Sequence, residues 1–198
     1  MKSFAELVPE GTKPPSDIPA PIFEAAHATY LGRRRLDMQA LAAEVGISRA
    51  TLYRRVGDRD RLLGAVLWYE IRHSVKRAFD FAERRRGARR VIAILDRFMR
   101  DVHGQPALHH LLDAEPEASL RILTTRKGPV QGGVIEIVRQ LLEEEHAAGN
   151  LTFQLHPSTL AYVIVRVIES FLYADVIGAA EPDIGQAVDV LTQLLREA

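Results

Sequence analysis

From Pro19 onward the apolar residues recur every three or four positions, a spacing that predicts helix almost throughout. Ile22, Phe23, Ala26 and Tyr30 form one face of a first helix over residues 19–32. Short helices over 38–45 and 49–55 follow Asp37 and Ser48, residue types whose side chains cap free backbone N–H groups. A long helix over 59–85 starts after Asp58, and the next, 88–103, ends near Gly104 and Pro106. A short piece covers 107–113, Pro116 opens a helix to about Lys127, and 130–148 stops at Gly149-Asn150. Pro157 opens a helix to about Ile177, and Pro182 with Asp183 opens the last one. No alternating strand stands out, and "LTFQL" at 151–155 reads as loop. Residues 1–17 are rich in Pro and charge without a sustained period and read as a flexible arm. The expected fold class is all-α.

Composition narrows the classes of function. A length of 198 residues suits one large domain, or a small one joined to a larger one. Lys plus Arg and Asp plus Glu each number 26, which excludes a uniformly basic coat for nucleic acid. Charge is nevertheless local: between Arg33 and Arg61 stand eight arginines against four acids. The absence of cysteine excludes disulfides, thiolate catalysis and Cys-ligated zinc, and fits a reducing cytoplasm, the expected location. The N-terminus has no signal-peptide pattern. The most apolar stretch, "LAYVIVRVIESFLYADVIG", carries Arg166, Glu169 and Asp175, each costly inside a bilayer, so no membrane partner is expected.

The stretch "LAAEVGISRATLYRRVGDRDRLL" at 41–63 has a shape of its own: a short helix, a turn at Gly46, and a small basic helix. This is the helix-turn-helix arrangement. Gly46 falls where the turn needs a positive φ. Ala42, Val45, Ile47 and Leu52 are spaced to pack the two helices together, with Leu41 and Tyr53 tying them to the first helix. Ser48, Arg49, Ala50, Thr51 and Arg54 then face outward. Small residues at 48, 50 and 51 permit close approach to a major groove, arginine bonds guanine with two donors, and Thr or Ala touches a thymine methyl. Arg33, Arg34, Arg35, Gln39 and Arg59 are candidates for the DNA contact around that helix, the arginines at the phosphates. A helical corner with a solvated arginine face would show the same bare pattern.

Over residues 18–64 the words "ALAAEVGIS", "RATLYRRV" and "GDRDRLL" resemble the DNA-binding domain of the tetracycline-repressor (TetR) family. Val56 stands where that family's pattern has an aromatic, and Arg59 where it has a lysine; the first helix lacks the frequent early basic residue. The resemblance implies a recognition helix at 49–55, a Tyr53 whose hydroxyl meets a phosphate while its ring packs inside, and a homodimer on operator DNA. It also implies that 65–198 is a helical domain that binds a small-molecule inducer and dimerises through its last two helices. "RVIESFLYADVIG" followed by "EPDIGQAVDVLTQLL" further resembles the regulatory domain of QsdR-type regulators, associated with genes for lactone and acyl-homoserine-lactone degradation. A lactone or acyl-chain inducer, with a link to quorum sensing, is what that likeness implies.

Arg166 and Glu169 sit three apart in the apolar helix, either lining a ligand pocket or pairing as a structural couple. Trp68, Phe98, His103 and Phe171 are candidates for the pocket wall or for plain core. His109 and His110 are adjacent and diverge on a helix, so no metal site is expected, and no cofactor. "ERRRGARR" at 83–90 reads as a solvated corner. Two other classes of function remain open at this point. A helical adaptor without DNA binding would show no salt-dependent DNA affinity. An all-helical enzyme would need a catalytic motif, and HExxH, a Gly-rich phosphate loop and a nucleophile elbow are all missing.

Overall fold

The computed structural model describes residues 14–125, 128–178 and 180–197. Residues 1–13 of the expected arm lie outside them. Eleven helices and no strand occur among the described residues. They are α1 (Ala20–Leu31), α2 (Met38–Glu44), α3 (Arg49–Val56), α4 (Arg59–Phe81), α5 (Gly87–His103), α6 (Pro106–Ala114), α7 (Pro116–Thr124), α8 (Pro129–Ala147), α9 (Pro157–Leu172), α10 (Ala174–Gly178) and α11 (Ile184–Glu197).

The capping chemistry sets the starts. Asp37 Oδ1 accepts from the N–H groups of Gln39 at 2.9 Å and Ala40 at 2.7 Å. Ser48 Oγ accepts from Thr51 N at 3.1 Å, and Asp58 Oδ1 from Arg61 N at 2.7 Å. Each bond satisfies a donor that the first helical turn leaves open. Gly46 links α2 to α3 at φ +70°, the left-handed region that an L side chain occupies only with strain. A Cβ there would meet nothing within 4 Å, so the cost is conformational alone. Gly46→Ala is therefore expected to lower stability by about 1–2 kcal/mol without other damage, as a chemical-denaturation midpoint would show.

α4 is the spine. It packs on α1, α3, α5, α7 and α8. At 1.5 Å per residue it spans about 35 Å. The helix continues unbroken through the expected boundary at residues 64 and 65. Beyond it, α8 and α9 make the most extensive helix pair, and α11 lies across α5 and α9. One apolar cluster runs through the whole molecule, from Ile22, Phe23 and Leu52 in the head to Met99, Leu141, Ile164 and Leu191 in the body.

Several ends differ from the periodicity. α4 stops at Phe81 instead of 85, because the arginines after it bond carbonyls at the helix end. Arg85 donates to Phe81 O at 2.9 Å, and Arg86 to Glu83 O at 2.8 Å. The basic run is thus partly consumed in closing the helix. α7 stops at Thr124. The helix expected over 157–177 is two: α9 ends at Leu172, Tyr173 turns with its side chain buried, and α10 follows. Tyr162 is 50 % exposed and Arg166 and Ser170 are also open, which leaves one helix face uncovered in the single chain.

Candidate nucleic-acid interface and ligand cavity

The core of the head fixes the attitude of α3. Leu52 and Val56 are fully buried, so the opposite face of this two-turn helix must point outward. Val56 fills the place of the aromatic with no exposed surface of its own. Ser48, Arg49, Ala50 and Arg54 are exposed, and Thr51 is half-buried with its hydroxyl accepting from Ser48 Oγ at 2.9 Å. The N-terminal end of α3 is thereby a narrow, rigid edge carrying one long cation.

Two of the expected contacts are placed differently. Tyr53 is 37 % exposed, and the Arg49 guanidinium lies over its ring, 5.4 Å from the centroid. Arg49 Nη2 also donates to the Tyr53 hydroxyl at 3.5 Å, so the two side chains pre-form one outward unit. That bond, with the neighbouring Asp37, raises the Arg49 pKa and keeps the group charged. Arg59 is engaged within the protein. Its Nε donates to Leu36 O at 2.8 Å and its Nη2 to Glu115 Oε1 at 2.6 Å. It joins the head to the α6–α7 corner, and Arg35 approaches the same carboxylate at 3.5 Å. Arg33, Arg34 and Gln39 are exposed beside α2, and Arg33 closes α1 at φ +52°.

In the body, α4, α5, α8 and α9 enclose two narrow voids of about 20 Å³ each. Phe98, Val134 and Ile168 line both, so the voids lie end to end. One is walled by apolar side chains such as Val75, Phe79 and Leu141. The other has a polar end made of Gln131, Glu169 and Tyr173. Glu169 accepts from Gln131 Nε2 at 3.0 and 3.2 Å and from Arg166 Nη1 at 2.7 Å. Burial pushes its carboxyl pKa up against the pull of these donors. Glu169 therefore lines the void and pairs with Arg166, which does not line it.

Of the other candidates, only Phe98 reaches the cavity. Trp68 faces the outer side of α4, with its ring against Gly133 and in a surface cleft with Asp17 and Arg61. His103 sits at the end of α5, its ring 5.0 Å from that of His109. Phe171 is half-buried on α9 away from the voids. Gln131 was missed, though a polar residue in the Val130, Val134, Val138 apolar stripe is a readable signal. Glu115 has no such signal, because its partners lie more than fifty residues away. No described helix is long and apolar enough to cross a membrane.

Comparison with known proteins agrees with this architecture. Residues 86–196 match the family model described as the tetracyclin repressor-like C-terminal domain. The transcriptional repressor QsdR of R. erythropolis, from the TetR family, is 30 % identical over 89 % of this chain and 93 % of its own, with a TM-score of 0.78. The TetR-family repressor AlkX of Dietzia sp. strain DQ12-45-1b, implicated in biodegradation of n-alkanes, is 25 % identical over 89 % and 94 %, with a TM-score of 0.58. FadR of Bacillus subtilis, solved with stearoyl-CoA, shares the fold at 14 % identity, over 88 % and 96 %, with a TM-score of 0.56. No curated protein matches. With the family model spanning more than half of its length and QsdR similar from head to body, this chain belongs to the TetR family, a family of transcriptional regulators and not of enzymes.

Proposed function

We propose that the protein is a repressor that binds a palindromic operator as a homodimer and is released by a small molecule of the lactone or acyl-homoserine-lactone type. The observation that carries the reading is the outward edge of α3. Its buried face is Leu52 and Val56, and its open face is Ser48, Arg49, Ala50, Thr51 and Arg54. In a major groove Arg49 reads base edges, and Tyr53, Gln39 and Arg33 to Arg35 hold the flanking phosphates. Arg59 has no part in the contact and positions the head.

Dimerisation fits the uncovered face of α9. Val163, Val167 and Phe171 fall on one stripe at i, i+4 and i+8 beside the exposed Tyr162, and Val190 and Leu194 extend apolar surface on α11. A two-fold interface there would set two α3 helices about one turn of DNA, roughly 34 Å, apart. Release follows from space. Two voids of about 20 Å³ are far below the roughly 300 Å³ of a ligand site, so a ligand must part α4 from α8 or α9. α4 carries the head, and a ligand that favours the parted form draws the population away from the DNA-competent one.

The test is operator binding by fluorescence anisotropy across salt concentration, with a fragment selected from genomic DNA. About six phosphate contacts give a fall of roughly a thousandfold between 50 and 200 mM salt, and a dimer gives a two-fold symmetric footprint. A flat salt response, or a monomer on DNA, overturns the reading. Acyl-homoserine lactone should reverse the binding.

A further inference from the structure

Resting on that ligand-release reading, we infer that the cavity takes a neutral aliphatic ligand whose head carries an N–H or O–H donor, which the Glu169 carboxylate accepts. The inference comes from the balance of donors and acceptors at the polar end. Glu169 is 8 % exposed. Its Oε2 is bonded by Arg166, which reaches in from the open face of α9 and is not part of the lining. Its Oε1 accepts only from Gln131, at 3.0 Å, and a carboxylate oxygen has room for a second bond.

The Gln131 amide cannot fill that place. Its Nε2 is shared between Glu169 and Thr124 O, the latter at 2.7 Å. Both neighbours are acceptors, so the NH₂ end must face them, and the amide carbonyl is left with no described donor. The polar end thus holds a surplus of acceptors, and Tyr173 is its one hydroxyl. Burial, and after it the nearby Glu169 charge, holds the Tyr173 hydroxyl protonated. A ligand that brings a donor completes the set. An ester head brings only acceptors and leaves Glu169 Oε1 short. A free carboxylate meets a buried like charge. Away from this end the lining is Ile71, Phe98, Val102, Val134, Ile168 and Leu172, and the second void continues it without a polar group. That geometry suits a slender alkyl tail.

The experiment uses the full chain at neutral pH with three probes of one tail length: decanamide, methyl decanoate and decanoate. Calorimetric titration is expected to show decanamide binding at least about tenfold more tightly than the other two, the effect of one hydrogen bond to a charged group. Glu169→Gln, checked for a cooperative melt, turns an acceptor into a donor and should erase or invert the preference for amide over ester. Equal affinity for amide and ester, tight binding of decanoate, or an unchanged order in the variant would each overturn the assignment. If none of the three binds while operator DNA is still held, the ligand-release reading of the cavity falls with it.

Discussion

Arg49→Ala is expected to weaken operator binding by about a hundredfold or more, with the melting temperature and the oligomeric state unchanged. Arg49 is exposed at the first position of the helix-turn-helix's outer helix, and its described partner is Tyr53 on the next turn. Losing it removes nothing from the core. A bidentate arginine–guanine contact is worth roughly 1–3 kcal/mol, and a dimer loses two of them. Arg49→Lys separates the two ways in which the side chain could act. Lysine keeps the charge but not the planar fork, so a base-reading role predicts a loss close to that of alanine and relaxed sequence preference. Full affinity in the lysine variant would make Arg49 a phosphate anchor. Normal binding by the alanine variant would remove α3 from the interface.

Glu145→Ala should be the most destabilising single substitution described for the body. Glu145 is 2 % exposed and holds three donors from two other segments. Its Oε2 accepts from Gly87 N at 2.6 Å and Asn150 Nδ2 at 3.1 Å, and its Oε1 from Arg90 Nη1 at 2.5 Å. The carboxylate therefore joins the end of α8 to the start of α5. Gly87 approaches so closely that a Cβ on it would lie 2.4 Å from Asn150 O, and its φ is +61°. Removing the acid leaves a half-buried guanidinium and a buried N–H without partners, a loss of about 3–5 kcal/mol. For a chain of this size that corresponds to a fall in Tm of roughly 10 °C.

The pH dependence has a definite sign. Burial alone would raise the Glu145 pKa, but the Arg90, Gly87 and Asn150 donors outweigh it and hold the group below its ordinary value of 4.5. The folded state then binds fewer protons than the unfolded one near that value. The stabilisation is complete above pH 4.5 and is lost as pH falls through the lowered folded-state pKa. The alanine variant should lack that part of the acid sensitivity in a melting series. An unaltered Tm would show that water replaces the acid at little cost.

The helices and the recognition edge were legible because their signals are local. Asp37, Ser48 and Asp58 cap the helices that follow them, and Gly46 has the positive φ its turn requires. The period of Leu52 and Val56 fixes which face of α3 is outward. Each of these depends on residues within one or two turns, and the backbone period converts that spacing directly into a face. What failed did so where a side chain had a choice of distant partners. Arg59 has the sequence context of a phosphate contact, yet an acid far along the chain, Glu115, lies within its reach. Tyr53 has a ring suited to the core, but Leu52 and Val56 already fill it. Trp68 lines a surface cleft and His103 packs beside His109, both apart from the two voids.

By itself, then, the amino-acid order determined an all-helical chain with an exposed basic helix near its start, since helix period, caps and the glycine turn are properties of neighbours. Only the tertiary structure decided which charges are spent inside the molecule. It brought Glu145 to Gly87, Arg59 to Glu115 and Gln131 to Glu169 across 58, 56 and 38 residues, respectively. The reason is physical: a buried charge must find a partner, and which partner is near is set by how helices pack, not by where they lie along the chain.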